Sequence, residues 1–241
     1  MLIKTKGIIF HSKKYSETSL IVDVYTQEKG FRSYIISGVR SKKSKISAAL
    51  LQIMSLVEMV VYHRDDKNLT RLKELRPAYV YQSLPFDVRK SAVGQFMIEI
   101  VRKTIRESEE NRDLFDFLFQ SFQFLDSTQE SFGNIHLFFM LKLTEFLGFM
   151  PDGVFTKEVP FFDLKEGIFL SESPNHPYYL EEEFSELISL LLESSMDQCH
   201  QIKMNRQKRH ALVSYILDYY KLHLDNFPKI YSHAILKEVL G

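Results

Sequence analysis

The hydrophobic period of this chain changes once, near residue 80, and that change bounds the folds open to it. Before it, apolar residues alternate or cluster in short runs at Gly7 to Phe10, Leu20 to Tyr25, Phe31 to Ile36, Leu56 to Tyr62 and Leu69 to Val80. This is the pattern of strands, whose side chains point to opposite faces in turn. Turn residues separate the runs at Thr26-Gln27-Glu28-Lys29-Gly30 and at Asp65-Asp66-Lys67-Asn68, where Gly30 and Asn68 suit the positive φ that closes a hairpin. Five short strands with one long connection fit a small closed barrel, of the OB type or the SH3-like type, and the pattern alone does not choose between them.

After the change, apolar residues recur every three or four positions. Ser83 and Pro85 mark a helix start, followed by Val93, Phe96, Met97, Ile100, Val101 and Ile105. Asn111 is placed to cap a second helix through Leu114, Phe117, Leu118, Phe122 and Leu125. Its phenylalanine-rich spacing is that of a helix facing a core rather than a ligand pocket. Ser127 with Glu130 has the spacing of a capping box for a third helix, with Ile135, Phe138, Leu141 and Leu147 as its stripe and Gly148 as its end. Three such helices on short connections are expected to pack on one another. Residues 149–180 scatter Pro151, Gly153, Pro160, Gly167, Pro174 and Pro177 among short apolar pieces and read as an irregular insertion. Helices resume at about 181–193, with Glu181 to Glu183 at an N-terminus that favours negative charge, and at 205–224 and 231–240. The expected organisation is a barrel domain over residues 1–80 and a mostly helical domain over 81–241.

The charge is divided along the same line. Residues 1–80 hold 15 of the 31 Lys and Arg but only 7 of the 31 Asp and Glu, so the two parts carry about +8 and −8 within a chain of zero net charge. A basic module joined to an acidic one points to polyanion binding at the front. No leading apolar run is long enough for a signal segment, and no later one for a bilayer span, so the expected location is cytosolic and, for a DNA binder, nucleoid-associated. One cysteine, Cys199, cannot pair internally and leaves thiolate zinc patterns without ligands.

Enzyme signatures are missing: no phosphate-binding loop, no dinucleotide-binding glycine pattern, no nucleophile elbow and no His-Glu-x-x-His. The expectation is a non-enzymatic binding protein without cofactor or metal. The informative segment is Gly38-Val39-Arg40-Ser41-Lys42-Lys43-Ser44-Lys45-Ile46. Arg40, Lys42, Lys43 and Lys45 are suited to phosphate oxygens, contacts that position a strand without reading its sequence. On the preceding strand, alternation sets Phe31, Ser33 and Ile35 on one face and Arg32, Tyr34 and Ile36 on the other. Arg32 and Tyr34 are expected to face outward, Tyr34 as a base-stacking ring, with Phe31 in the core. Lys13, Lys14, Arg71, Lys73 and Arg76 extend the basic surface. In the acidic part, the basic spot at Arg206, Lys208 and Arg209 suits an acidic peptide tail, DNA, or simple exposure to solvent.

The opening string GIIFHSKKYSETSLIVDVYTQEKGFRSYIISGVRSKKSK resembles the start of the RecO family of recombination mediators: Tyr15 to Glu17, Ile21 to Thr26, Gly30, and the Gly38 to Arg40 step into a basic loop. Ala49 to Gln52, the Phe139–Leu143 block with Leu147-Gly148-Phe149 before Pro151, and the stretches Tyr215–Leu224 and Lys229–Leu236 are similar to later parts of the family. The resemblance implies an N-terminal OB-fold, a helical C-terminal domain, binding of single- and double-stranded DNA, strand annealing, and help in loading RecA at gaps without nucleotide hydrolysis. The partners it implies are RecR and the acidic tail of single-stranded DNA-binding protein. Many members carry a four-cysteine zinc motif within the segment matching 149–180, and this chain has no cysteine there, which implies a metal-free version. Of the basic residues that receive the acidic tail, the matching helix keeps only Lys142, which implies a contact that is weaker, relocated toward Arg206 to Arg209, or absent. Two rival functions stand beside this one: a scaffold whose barrel binds an acidic protein surface, and an RNA-binding barrel.

Overall fold

Five strands close on themselves in the computed structural model, which describes residues 1–39, 46–63, 69–105 and 109–240. They are β1 (Leu2–Lys14), β2 (Leu20–Thr26), β3 (Gly30–Ile36), β4 (Leu56–Tyr62) and β5 (Leu69–Pro77). The order around the barrel is β1-β2-β3-β5-β4, and β4 returns to β1. All pairs are antiparallel except β3 with β5. This closed, partly crossed-over barrel is the OB arrangement, and it decides between the two barrel types left open by the pattern.

The β2–β3 turn closes at Gly30 with φ +58, as its composition predicts. Asn68 lies outside the described residues. The barrel interior is filled by Ile9, Val22, Val24, Tyr34, Ile36, Val39, Leu51, Val57, Met59 and Val61. Strand β1 carries the unbroken buried run Gly7-Ile8-Ile9-Phe10. Ile9 belongs to the interior, while Ile8 and Phe10 lie on the outer side, where Phe10 stacks on Tyr25 at 5.7 Å between ring centroids. A strand buried on both faces loses its alternation, and the second cover here is α2 (Arg112–Ser127). Phe115 of α2 stacks on Tyr25 at 6.3 Å. Asn111 caps α2, its side-chain oxygen accepting from the Leu114 N–H at 2.9 Å. By its contacts α2 groups with the barrel, in a unit of residues 1–85 and 105–127. The sequence pattern predicts a stack of three consecutive helices, whereas α2 groups with the barrel, whose outer apolar row on β1 and β2 it covers.

Asp126, near the end of α2, is 1% exposed. Its carboxylate accepts the backbone N–H groups of Gln82 (2.9 Å), Ser83 (2.8 Å) and Leu84 (2.7 Å) and the Tyr79 hydroxyl (3.0 Å). Ser83 is thereby engaged and caps no helix; α1 (Val88–Thr104) starts later, with Asp87 accepting from the Arg89 and Lys90 N–H groups. Ser127 likewise ends α2 instead of opening the next helix, α3 (Ile135–Leu147).

The second unit comprises residues 86–104 and 128–241, of which Gly241 is not described. Its helices are α1, α3, α4 (Glu182–Glu193), α5 (Arg206–His223) and α6 (Ser232–Val239). Helix α3 is buried almost all round, from Ile135 to Leu141 without a break, as befits a central helix, and it ends where Gly148 takes φ +83 and returns N–H bonds to Glu145 and Thr144. The segment expected to be irregular contains a three-stranded antiparallel sheet, β6 (Phe161–Asp163), β7 (Ile168–Leu170) and β8 (Tyr179–Leu180), in the order β7-β6-β8. Strands of two or three residues are too short to show a period, which is why the pattern misses them.

Candidate nucleic-acid interface

The outer face of β1, β2, β3 and β5 is divided by register into rows. The first, Ile8–Tyr25–Phe31, lies on the side that carries the α2 aromatics. The second is His11–Asp23–Ser33–Leu69. In it the Asp23 carboxylate accepts from the Ser33 hydroxyl at 2.5 Å and lies 3.7 Å from His11 Nδ1, so its charge is engaged within the sheet. The third row is Lys13–Ile21–Ile35–Arg71. Lys13 and Arg71 are exposed, and Ile21 and Ile35 are half-buried. Three strand steps separate the two cations, about 14 Å at the usual interstrand spacing, with an apolar strip between them. Two like charges on either side of apolar atoms can hold phosphates of one strand that are not adjacent while base or sugar faces rest between.

Of the residues singled out in the sequence, Lys13 and Arg71 are therefore brought into one row. Lys14 is exposed at the end of β1, opposite Leu20, and Lys73 is exposed on β5, 3.8 Å from Glu74. Arg76 is exposed and bonds to Glu58 at 2.9 Å, which holds the Glu58 carboxyl below the usual range. Arg40, Lys42, Lys43 and Lys45 lie outside the described residues. The flanking Val39 and Ile46 both pack against the barrel core.

Tyr34 corrects the sequence reading. It is 2% exposed, inside the barrel, and cannot stack on a base. Burial pushes its phenol up to about 12, against the lowering effects of the nearby Arg32 charge and of a hydrogen bond with Thr26. The alternation itself holds, but the inner and outer faces are exchanged: Tyr34 and Ile36 point in, and Phe31, Ser33 and Ile35 point out. Both faces of β3 carry an aromatic residue, so period two identifies the faces without saying which is inside. Arg32 shares the parity of Tyr34, is half-buried, and donates to the Phe31 carbonyl at 3.0 Å, so it does not join the Lys13–Arg71 row. The residues missed from sequence are Ile21 and Ile35; counting back from the Gly30 turn sets them opposite each other.

In the second unit the basic residues singled out are largely engaged. Lys142 pairs with Glu145, Lys208 with Glu183 at 2.5 Å, and Arg206 donates to the Lys237 carbonyl at 3.2 Å. Arg209 is partly buried, which lowers its guanidinium's affinity for a proton, and it bonds to Asn134 and the Met204 carbonyl. It also lines a cavity of about 450 Å³ with Arg89, Phe132 and Leu240; Arg89 and Phe132 were not foreseen, since they come from two separate segments. Among the described residues no three His, Cys, Asp or Glu side chains stand close enough to share a metal ion, and no helix is long and apolar enough to cross a membrane.

Two family models match the chain: "Recombination protein O N terminal" over residues 1–81 and "Recombination protein O C terminal" over residues 85–230. Among similar proteins, the DNA repair protein RecO of Phocaeicola vulgatus is 38% identical over 241 residues, covering all of both chains. That of Christiangramia forsetii is 41% identical over 243 residues, again covering all of both, and that of Bacteroides fragilis is 36% identical over 240 residues, 99% of each. With both family models matched in order along a barrel and a helical body, and relatives that align from end to end, the chain belongs to the RecO family of DNA repair proteins.

Proposed function

We propose that the protein is a recombination mediator that captures single- and double-stranded DNA on its barrel, anneals complementary strands, and helps load RecA at gaps in the RecFOR pathway. The observation that carries this is the register row Lys13–Ile21–Ile35–Arg71, two exposed cations across an apolar strip on the outer face of an OB-type barrel. Arg40, Lys42, Lys43 and Lys45, between strands of the same barrel, add phosphate contacts, with Lys14 and Lys73 beside the row. Neutralising phosphates on two strands lowers their repulsion, and annealing follows through base-pair hydrogen bonds, with no covalent bond made or broken. The helical unit docks the partner proteins, RecR and the acidic tail of single-stranded DNA-binding protein, the latter at Arg209 and Arg89, where two guanidinium groups line one cavity.

The test is fluorescence anisotropy of a labelled single strand, with a matched duplex alongside, across a salt titration. Affinity is expected to fall steeply with salt. Converting Arg40, Lys42, Lys43 and Lys45 to alanine is expected to flatten the single-strand slope by about 0.7 log unit per log of salt for each contact removed. A slope and affinity unchanged in that variant and in a Lys13→Ala, Arg71→Ala variant would sink the barrel as a DNA site and leave the acidic-protein scaffold. Preference for a matched RNA competitor would turn the reading to RNA.

A further inference from the structure

Tyr231 is 66% exposed, yet its position is held firmly. The Glu99 carboxylate on α1 accepts the Tyr231 N–H at 3.1 Å on both oxygens, and also the Ser232 N–H at 2.7 Å and the Ser232 hydroxyl. These bonds hold the Glu99 carboxyl below the usual range, against the opposing effect of its burial. The start of α6 is thus fixed to α1, and the Tyr231 backbone cannot drift. Above the ring stand two ammonium groups, Lys229 Nζ at 5.6 Å and Lys103 Nζ at 5.9 Å from the centroid. Neither lysine forms an ion pair among the described residues. Ile235, one helical turn further on, is 55% exposed and extends the apolar surface.

A protruding aromatic ring in water, set by an anchored backbone and with two cations from separate segments over it, has the chemistry of a stacking site for a base whose neighbouring phosphates those cations hold. The family model of the C-terminal part ends at residue 230, one residue before the ring. We infer that Tyr231, Lys103 and Lys229 form a second contact for single-stranded DNA, on the helical unit, with a base stacked on Tyr231 and neighbouring phosphates on the two lysines. This rests on the reading of the protein as a DNA binder, but not on the barrel as the place of binding. A duplex hides its base faces, so the contact favours the single strand.

The experiment uses the full chain and a labelled thymidine oligonucleotide, with a duplex as control. Tyr231→Ala is expected to weaken single-strand binding about tenfold, while Tyr231→Phe, which keeps the ring, stays near the parent. Lys103→Gln with Lys229→Gln is expected to flatten the salt slope by about 1.4, the equivalent of two single-strand phosphate contacts. Duplex affinity is expected to move little in Tyr231→Ala, and its unfolding midpoint to match the parent, because the Glu99 bonds go to the backbone. Single-strand affinity unchanged in Tyr231→Ala, or lost equally in Tyr231→Phe, overturns the inference whatever the barrel variants show. Loss in Tyr231→Ala with no loss in the barrel variants upholds it and moves the DNA site off the barrel. An acidic peptide that competes at Tyr231 where DNA does not would also overturn it.

Discussion

Replacing Asp126 with alanine is expected to lower the stability of the barrel unit by about 3 to 5 kcal/mol, read as a shift in the urea midpoint followed by circular dichroism at neutral pH. The carboxylate holds the three consecutive N–H groups of Gln82, Ser83 and Leu84 and the Tyr79 hydroxyl, all at 3.0 Å or less. Leu84 is itself 1% exposed, so a methyl group in place of the carboxylate leaves its N–H without water to turn to, while the part-buried bonds to Gln82, Ser83 and Tyr79 are lost as well. Each stranded buried donor costs about 1 to 3 kcal/mol. Asparagine, similar in shape, presents an amide where acceptors are needed and is expected to recover only part of the loss. The same network makes the unit acid-sensitive. Burial raises the Asp126 carboxyl, but the N–H bonds from Gln82, Leu84 and Ser83 and the Tyr79 hydroxyl outweigh it, and the folded value lies below the ordinary one. A carboxyl lowered on folding contributes stability that is complete above its unfolded value, about 3.9, and is lost as pH falls through the folded one. A loss below about 1 kcal/mol in Asp126→Ala would show that the segment 82–84 finds other partners.

The second large effect is expected from His136, on the central helix α3. It is 1% exposed, its ring lies edge-on to Phe96 at 5.9 Å, and its Nδ1 has no hydrogen-bond partner among the described residues. Burial pushes its value down to about 3, helped by the positive charge of Arg209 and by His210 and His233. His210 and His233 are lowered as well, by burial first and then by neighbouring cations including Lys237. The unfolded chain therefore takes up a proton near pH 6.5 that folded His136 refuses until about 3. Stability is complete above pH 6.5 and falls below it, by about 1.4 kcal/mol for each pH unit inside the window for this one group. His136→Phe keeps the packing against Phe96 and cannot charge. It is expected to match the parent within about 1 kcal/mol at pH 7 and to be clearly more stable at pH 5. Urea unfolding of both proteins at pH 7, 6 and 5 checks this, and parallel pH profiles would mean that His136 finds water on protonation.

The helix signals that depend only on neighbours in the chain appear where the sequence places them. Asn111 caps α2, and Gly148 ends α3 with positive φ. Signals open to a more distant partner were misread. Ser83 and Ser127 have the chemistry of caps, but Ser83 is bound to Asp126, 43 residues away, and Ser127 lies in the last turn of α2. The cavity formed by Arg89, Phe132 and Arg209 joins three segments and has no local signature.

By itself the sequence determined the barrel-then-helices order, the strands of the barrel, the hairpin at Gly30, the basic character of the front, and the family. These follow from period, turn chemistry and charge, which act over a few residues or add up over many. Tertiary structure alone decided which face of β3 is inside, that α2 belongs with the barrel, that Lys13 and Arg71 share a row with Ile21 and Ile35, and that Tyr231 stands beneath two lysines. The physical reason is that a side chain's environment is set by what the chain brings against it from far away. For Tyr34 the apolar cluster inside the barrel, and for Phe10 and Tyr25 the aromatic cover of α2, settled by packing what the alternation of residues left open.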